Sequence, residues 1–567
     1  MKDLVLPIWK FCATLIIVSL TFQLNCATRG RPGGGPVDKI PPKIIWTFPA
    51  ADSTGLKDLD KIEIYFSERM NESSVQNSLF ISPPLKYEPD WSGGDEFTLS
   101  IEDTLVSDHT YVITIGSGAM DIQKNRMADS YQFAFSAGEV IDKGEIYGRV
   151  YDITEKDLLY VYAYTKVDPD SLDPTLVSAD FLSQPGPDGK FWLKYLPQSD
   201  FRVFVIEDQN KNLLLDLAYE RVGIPVRDAR VDTLLGPSGP LNFRITRIDT
   251  TLPEISGARS IDNRTIQLRI NEEVEGISPK VVSIIDTLTA DSLEIIGITR
   301  IKEEPKQFLI FTAPQDSGKG YRLAVEQLVD TSGNVQNIPQ ITQIVGSVTP
   351  DTTHYELLKV VPKDSTTNFG LSAFIELGFS LPIDTTTISK TFQIVDRDSN
   401  QIGGRWNWVG LKNGSFRPNQ KWNPGQLYTY SFSTKYIQSI WGDTLVDSTL
   451  TITFFTLSED EFGSLTGEYV STKSNKKNVY LQLVPIEKNK KSYQTIVDAD
   501  RSFKFNWVLE GKYKLGGFLD LDDDGKFTPG SLFPFNFSEP FTISDDTLRI
   551  RKRWEVSEIK FSIPGLE

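Results

Sequence analysis

Histidine and cysteine are almost missing from this chain of 567 residues, which contains two of each. The histidines, His109 and His354, lie far apart, and neither has a cysteine or a paired carboxylate motif nearby. A Ser–His–Asp triad or a His-rich zinc site is therefore unsupported. The sequence also lacks the phosphate-binding loop, the dinucleotide-binding glycine pattern and the HExxH motif. These absences predict a protein that is not an enzyme and that requires no cofactor.

Long apolar runs are equally scarce, and the one that stands out lies near the N-terminus. Residues 11–22, FCATLIIVSLTF, follow Lys2 and Lys10. A short basic segment before a dozen apolar residues is typical of a secretory signal peptide and is too short to span a bilayer. We therefore predict a signal peptide over residues 1–25. Its removal leaves a single cysteine, which excludes an internal disulfide.

The residues after the predicted cleavage site, CATRGRPGGGPVDK, join a cysteine to a Gly- and Pro-rich stretch with nothing to bury. A signal peptide that ends at a cysteine resembles that of bacterial lipoproteins. The resemblance implies that Cys26 carries diacylglycerol and an acylated amine, which together anchor a protein stably. Residues 26–40 are then the lipidated cysteine and its tether. Gln23 and Asn25 depart from the family's preferred residues, so the alternative is an ordinary signal peptide that leaves a free thiol.

Positive charge is in deficit, and the net charge of the chain is −17. An acidic balance favours solubility and argues against nucleic acid as a partner, because phosphate binding needs clustered lysine and arginine. Aromatic residues make up 11% of the chain. Aromatic side chains suit pleated, half-buried surfaces, so this load favours β structure.

A unit of two modules occurs twice after the tether. Residues 62–67 (IEIYFS) recur at 375–380 (IELGFS), and 191–212 align without gaps to 503–524. Alternating apolar residues, frequent turn residues and the lack of helical periodicity predict antiparallel β-sandwiches. A weaker third copy of the first module lies between the two units. The five predicted segments are module 1 (41–138), module 2 (139–248), module 3 (249–349), module 4 (350–458) and module 5 (459–567).

Particular stretches of these modules resemble known families. PPKIIWTFPAADST, the strand IEIYFSERMN and the segment from Tyr111 to Asn125 resemble the SbsA-type bacterial Ig-like domain, and this assigns modules 1, 3 and 4. Gly189 and Phe191 with YLPQSDF resemble the transthyretin-like or carboxypeptidase-regulatory-like sandwich, and this assigns modules 2 and 5. With CATRGRPGGGPVD, the whole chain resembles Bacteroidota outer-membrane lipoproteins. The resemblance implies an all-β string of five Ig-like or transthyretin-like antiparallel β-sandwich domains behind a lipoprotein signal peptide, with a role in the cell envelope and no implied reaction.

An Asp-rich loop in module 5, FLDLDDDGKFTPG (518–530), has the spacing of a calcium-binding loop. Carboxylates at positions 1, 3 and 5 and a backbone carbonyl give the oxygen ligands that Ca²⁺ prefers. The predicted ligands are Asp520, Asp522, Asp524 and Lys526. Ser531 stands at position 12, where an EF-hand has glutamate, so we expect a turn-type calcium loop after a strand. The alternative is a solvated turn without a metal.

The equivalent loop in module 2 keeps side-chain oxygens at the same positions but carries less charge. Its candidate ligands are Asp208, Asn210, Asn212 and Asp216. Lower ligand charge predicts a weaker calcium site.

Other clusters suggest different contacts. Trp406 and Trp408 share one face of an extended segment and are the best candidates for a sugar-binding platform, with core packing as the plainer interpretation. Adjacent acidic residues such as Glu272 and Glu273 are interpreted as surface charge rather than a hydrolytic pair.

The terminal strand LRIRKRWEV is interpreted as a docking edge for an acidic partner or lipid headgroups, or else as a solubilised edge strand. Its cations are Arg549, Arg551, Lys552 and Arg553.

The function predicted from these features is a non-catalytic, lipid-anchored scaffold or interaction protein of the cell envelope, accessory to an outer-membrane assembly. Its predicted partners are the membrane, through the anchor, and an outer-membrane protein. A carbohydrate-binding or adhesion lipoprotein is one alternative, and an enzyme of unrecognised type that uses acidic residues is another. Arg29 and Arg31 stand where some surface-exported lipoproteins carry an acidic run, which favours the periplasmic face.

We expect Cys26 to be acylated in the native protein. Intact-mass spectrometry of material extracted from membranes should show a chain that begins at Cys26 and is heavier by its lipid, because acyl chains confer the affinity for the bilayer. The protein should also fractionate with membranes. A mature chain without a fatty adduct, recovered from the soluble fraction, would contradict the anchor.

Overall fold

The structure is a computed structural model that describes residues 38–154, 158–165, 172–301, 303–446, 448–471, 477–488 and 490–564. Strands make up 49% and helices 4% of the chain, which confirms the predicted class of an all-β protein with several β-sandwich domains. The predicted signal peptide, Cys26 and most of the tether lie outside the described residues. The chain divides into two compact units, residues 1–141 and 142–567.

Module 1 occupies the described part of the first unit and is a sandwich of two antiparallel sheets, β1-β2-β5-β4 and β3-β6-β7. On β2, Ile62, Ile64 and Phe66 are buried, because alternate side chains of a strand face the same side. The elements are β1 (Ile44–Phe48), β2 (Lys61–Phe66), α1 (Glu72–Gln76), β3 (Leu79–Ser82), β4 (Tyr87–Ser92), β5 (Glu96–Ile101), β6 (Thr110–Ile115) and β7 (Tyr131–Ser136).

Module 2 opens the second unit and has a different topology. Its smaller sheet is β11-β8-β15, in which β8 and β15 run parallel. The larger sheet has the order β10-β9-β12-β13-β16, with β14 paired to β12. The strands are β8 (Gly144–Tyr151), β9 (Leu159–Thr165), β10 (Phe181–Ser183), β11 (Lys190–Leu196), β12 (Asp200–Glu207), β13 (Arg221–Gly223), β14 (Ala229–Arg230), β15 (Ser238–Arg244) and β16 (Thr246–Arg247).

Module 3 repeats the strand order of module 1, with sheets β17-β18-β21-β20 and β19-β22-β25. A two-stranded ribbon, β23-β24, is added between β22 and β25. The elements are β17 (Ile255–Ser260), β18 (Thr265–Ile270), a 3-10 turn (Pro279–Val281), β19 (Val282–Asp286), β20 (Ile295–Ile301), β21 (Glu304–Thr312), β22 (Gly320–Val325), β23 (Leu328–Val329), β24 (Val335–Gln336) and β25 (Gln340–Val345).

Module 4 has the same order again, with sheets β26-β28-β31-β30 and β27-β33-β32-β29. The additional strand β27 runs parallel to β33. The elements are β26 (Leu357–Val361), β27 (Thr366–Phe369), β28 (Ile375–Phe379), α2 (Thr385–Ile388), β29 (Gln393–Asp396), β30 (Gly404–Val409), β31 (Asn413–Pro418), β32 (Leu427–Ser433), a 3-10 turn (Thr434–Tyr436) and β33 (Thr449–Thr456).

Module 5 shares the topology of module 2. Its sheets are β37-β34-β42, with β34 and β42 parallel, and β36-β35-β38-β41. A short hairpin, β39-β40, lies between β38 and β41. The elements are a 3-10 turn (Glu459–Glu461), β34 (Phe462–Tyr469), β35 (Val479–Pro485), β36 (Tyr493–Ile496), β37 (Ser502–Leu509), β38 (Gly511–Leu519), β39 (Ser531–Leu532), β40 (Phe535–Asn536), β41 (Phe541–Ile550) and β42 (Glu555–Phe561).

One glycine contact explains a sequence signature that modules 2 and 5 share. A Cβ atom at Gly148 would overlap the Phe191 ring and a carbonyl of the parallel neighbour strand. A Cβ atom at Gly467 would meet the Phe503 ring and its own parallel neighbour in the same way. Because glycine has no Cβ atom, it allows the parallel neighbour strand and the phenylalanine ring to approach the backbone this closely.

Modules 2 and 5 contact each other within the second unit, although modules 3 and 4 separate them in the chain. The Arg149 guanidinium lies 2.5 Å from the Asp545 carboxylate, and Asn242 Nδ2 donates to the Phe541 carbonyl at 2.8 Å. The Arg202 guanidinium lies 3.9 Å from the centre of the Phe535 ring, on hairpin β39-β40. The hairpin that follows the Asp-rich loop therefore packs against module 2.

Candidate functional site

The Asp-rich loop of module 5 starts directly after strand β38, as expected, and Asp520 organises it from inside. The Asp520 side chain is fully buried. Its Oδ1 accepts the Asp523 N–H at 2.7 Å, and its Oδ2 accepts the Gly525 N–H at 3.0 Å. Gly525 has a φ of +73°, which glycine adopts without strain. Asp520 thus ties the loop back on itself through two backbone hydrogen bonds.

Three carboxylates meet at the start of this loop. Asp520, Asp522 and Glu539 each place an oxygen within 4.8 Å of the other two. Glu539 is buried, and it accepts the N–H groups of Leu521 at 2.5 Å and Thr528 at 3.0 Å. Burial, with the charges of Asp522 and Asp520, raises the pKa of Glu539 above its ordinary value. A divalent cation would offset this repulsion, and all three groups are ligands of the kind that Ca²⁺ prefers.

The structure brings together only part of the predicted ligand set. Asp524 Oδ1 accepts the Lys526 N–H at 2.6 Å, so this carboxylate closes a turn and does not belong to the cluster of three. Sequence spacing missed Glu539, because it lies beyond position 12 and returns to the loop through hairpin β39-β40. The signal that could have revealed it is the Glu–Pro pair just before strand β41.

The loop of module 2 has the same frame. Asp208 is fully buried and accepts the N–H groups of Lys211 at 2.6 Å and Leu213 at 3.0 Å. Glu220 takes the place of Glu539 and accepts the N–H groups of Gln209 and Asp216, both at 2.8 Å. The two modules therefore build the same buried Asp and Glu pair around different loop residues.

Charge distinguishes the module 2 loop from the module 5 loop. The side-chain amides of Asn210 and Asn212 donate to Asp216 Oδ2 at 2.6 and 3.0 Å, and the Tyr219 hydroxyl donates to the same oxygen at 2.9 Å. The Tyr162 hydroxyl donates to Asp208 at 2.8 Å. Neutral donors therefore already hydrogen-bond to the carboxylates of this loop, and the weaker calcium site stays a prediction.

Acidic clusters also occur at one corner of modules 1 and 3. In module 1 the cluster is Asp38, Glu68 and Asp121. Burial, followed by the charges of Asp121 and Asp38, raises the pKa of Glu68. Asp121 also accepts the Asn125 N–H and side-chain amide at 2.8 and 2.7 Å, so the cluster is tied to the turn that follows it.

The corresponding cluster in module 3 corrects one expectation. Glu272 was expected to be surface charge, but it is partly buried beside Asp249 and Asp330. Burial and the charges of Asp249 and Asp330 raise its pKa. In module 4 the two strand-end positions are Leu381 and Ser439, so that copy has an apolar residue where the others have glutamate.

The aromatic platform expected at Trp406 and Trp408 is mostly turned toward the core. Their rings share one face of β30 and lie 5.5 Å apart. Trp406 packs on Phe392 at 5.0 Å, and both indoles are half-buried against the core of module 4. The sequence expectation of a shared face is met, and so is the plainer interpretation of core packing.

A more exposed aromatic cluster lies on the outer face of β1 and β2 in module 1. Trp46 is 50% exposed, and its ring lies 6.5 Å from Phe48 and 5.0 Å from Tyr65. The Tyr65 hydroxyl donates to Glu96 at 2.6 Å, which raises the pKa of Tyr65 to about 12. The sequence does not distinguish Trp46 from the other tryptophans, because the rings of this cluster come together only when β1 pairs with β2.

Comparison with known families supports the Ig-like assignment of two modules. Residues 38–137 and 351–456 match the family model described as "Bacterial Ig-like domain". Module 3 has the same strand order as these two matched modules. These two segments therefore match the bacterial Ig-like domain family within a multi-domain all-β protein. The comparison with curated protein sequences gives no match.

Solved structures with similar parts come from two kinds of protein. Domains 1–6 of the surface layer protein SbsC are 8% identical, with 92% of this chain and 68% of that chain covered and a TM-score of 0.15. L,D-transpeptidase 3 from Mycobacterium tuberculosis is 9% identical, with 25% of this chain and 75% of that chain covered and a TM-score of 0.14. Likenesses at this level carry no argument about function. Among the described residues no helix is both long and apolar enough to cross a membrane.

Calcium at the module 5 loop stays a prediction, and titration calorimetry tests it. Chelator-stripped full-length protein should bind Ca²⁺, and Asp522→Asn or Glu539→Gln should weaken binding by about tenfold, because each removes a charged ligand. Asp522→Asn is the more specific test of the two, because Asp522 is exposed and the substitution leaves the buried side chains of Asp520 and Glu539 unchanged. Asp129→Asn, an exposed aspartate elsewhere, is the control with the same charge change. Absence of binding would contradict the site.

The raised pKa of Glu539 adds a pH dependence with a definite sign. Calcium affinity should fall as the pH drops through this raised pKa, because the protonated carboxyl no longer offers a charged ligand. Without calcium the sign reverses: the contribution of Glu539 to stability is fully present below its ordinary pKa and is lost as the pH rises through the raised value. Glu539→Gln should remove both effects.

Proposed function

We propose that this protein is a non-catalytic scaffold or interaction protein of the cell envelope, held at the outer membrane by lipid on Cys26. The observation that carries the proposal is the repetition of Ig-like modules, two of which match the bacterial Ig-like domain family. The N-terminal apolar segment and the cysteine that follows it support a location at the outer membrane. Arg29 and Arg31 favour the periplasmic face of that membrane. An outer-membrane protein is the partner that this role requires.

The packing of modules 2 and 5 supports a scaffold role. Their contact combines the Arg149–Asp545 ion pair with the Asn242–Phe541 hydrogen bond. Because these modules come from opposite ends of the second unit, their contact closes the chain between them into a loop. Such closure limits the freedom of modules 3 and 4, and a scaffold that fixes the position of a partner needs this limitation.

Crosslinking in intact cells tests the scaffold role. A tagged full-length chain, purified from solubilised envelopes after crosslinking, should retain one outer-membrane protein at a constant ratio, because a scaffold engages its partner stably. An unrelated tagged lipoprotein processed in parallel defines the background. Repeated recovery of no membrane protein above that background would argue against the proposal.

Glycan binding is the second candidate function, and the exposed cluster Trp46, Phe48 and Tyr65 is the observation that favours it. Flat aromatic rings stack on the apolar faces of sugars, while nearby carboxylates accept hydrogen bonds from hydroxyls. The Glu96 carboxylate lies beside the rings through its bond to Tyr65.

A glycan array distinguishes this candidate from a pure scaffold. Binding should disappear with Trp46→Ala, which removes the most exposed ring of the cluster, and should survive Trp192→Ala, an indole of similar exposure in module 2. Loss of binding with Trp406→Ala or Trp408→Ala instead would move the site to module 4. An array without any bound glycan would remove this candidate.

A further inference from the structure

A cationic cleft opens on the surface of module 5, in a chain whose net charge is −17. Its volume is about 790 Å³. Five cationic side chains line it against three carboxylates. The cations are Lys490, Lys491, Lys512, Arg549 and Lys552.

Two of these cations face each other across paired strands. Lys512 on β38 lies directly opposite Arg549 on β41 in the antiparallel register, and both side chains are exposed. Like charges at directly opposed positions destabilise a sheet. Neither residue forms an ion pair within the part of the chain that the structure describes. The sheet therefore places two cations side by side, and the nearby Glu487 carboxylate, although paired with Lys490, is the acidic group that interacts with Lys512.

The carboxylates of the cleft are engaged mainly by other cations. Glu487 lies 2.8 Å from Lys490, and Glu461 lies 2.6 Å from Lys552. Lys490 also donates to the backbone carbonyl of Glu510 at 2.8 Å. These pairs form the rim. With the Glu510 carboxylate counted, the five cations of the cleft exceed its three carboxylates by two, and the cations outside the two rim pairs are Lys491, Lys512 and Arg549.

Lys421 of module 4 adds to this charge from outside the cleft. Lys491 is exposed as a whole residue, yet nearby protein partly dehydrates its ammonium group. This dehydration, followed by the charge of Lys421, lowers the pKa of Lys491. An anion bound among these groups would relieve the repulsion between them.

We propose that this cleft binds a phosphate group, carried by a ligand larger than phosphate itself. The planar Arg549 guanidinium presents two parallel N–H donors, the geometry that suits phosphate oxygens, and Lys512 and Lys491 add point charges. The volume lies in the range of sites for small-molecule ligands. A phosphorylated lipid headgroup and a soluble phosphorylated compound share this chemistry. The site is independent of the calcium loop and of a protein partner.

Inorganic pyrophosphate is the first probe, titrated calorimetrically into the full-length chain. Arg549→Gln and Lys512→Gln should each weaken binding by about tenfold, since a charged hydrogen bond is lost. Arg549→Lys should restore only part of the affinity, because it keeps the charge without the paired donors. Arg551→Gln is the matched control: it makes the same charge change two residues away, at a position that does not line the cleft.

Further outcomes decide for or against the proposal. Equal losses with Arg551→Gln, or equally tight binding of citrate, would show general electrostatic attraction and overturn the phosphate site. No binding of pyrophosphate by the correctly folded wild-type chain would overturn it as well. Unfolding temperatures of all variants check that weaker binding does not reflect lost structure.

Vesicles separate the two sources of the phosphate group. Full-length Cys26→Ser, which has no acyl anchor, should bind phosphatidylcholine vesicles that contain phosphatidic acid if the ligand is a lipid headgroup, and pyrophosphate should compete. Binding of pyrophosphate without binding of vesicles assigns a soluble phosphorylated ligand. Vesicle binding that Arg549→Gln leaves unchanged would contradict the cleft as the lipid site.

Discussion

The burial of alternate side chains between two sheets is the constraint on which the rest of this protein depends. Strand β2 buries Ile62, Ile64 and Phe66 and turns Glu63 and Tyr65 outward. Five separate hydrophobic clusters of this kind occur along the described chain. Each core lies mainly within its own pair of sheets, and that of module 4 also includes Phe462 of module 5. The outward residues and the strand ends are therefore free to carry other features. The Asp-rich loops, the Trp46 cluster and the cationic cleft lie at such positions.

Modules 2 and 5 share a buried Asp and Glu pair, but the loops built around this pair differ in charge. Modules 2 and 5 place a buried Asp at a strand end and a buried Glu against it, as Asp208 with Glu220 and Asp520 with Glu539. In both modules backbone N–H groups donate to these buried carboxylates. The residues between the framework positions then decide the charge. The module 2 loop has the uncharged amides of Asn210 and Asn212 where the module 5 loop has the carboxylates of Asp522 and Asp524. The acidic corner varies in a similar way, because modules 1 and 3 have Glu68 and Glu272 at the position where module 4 has Leu381.

Much of the architecture could be read from the sequence, because it rests on local periodicity. Alternation in IEIYFS and its recurrence as IELGFS predict strands and repeats, and the period of two fixes which side chains are buried. The positions of Asp520 and Asp522 follow from spacing within a single loop. The predicted signal peptide and the cysteine that follows it likewise rest on a linear pattern of residues.

Contacts between residues far apart in the chain were decided by the tertiary structure alone. Glu539 reaches the Asp-rich loop through a hairpin, and Lys512 meets Arg549 through the register of β38 and β41. Register depends on how a whole strand pairs, and a shift by one residue would reverse which side chains face each other. The contact of modules 2 and 5 depends in turn on where complete sheets present their outer faces. A linear pattern specifies which side of a strand a residue occupies; only strand pairing and module packing specify its neighbours.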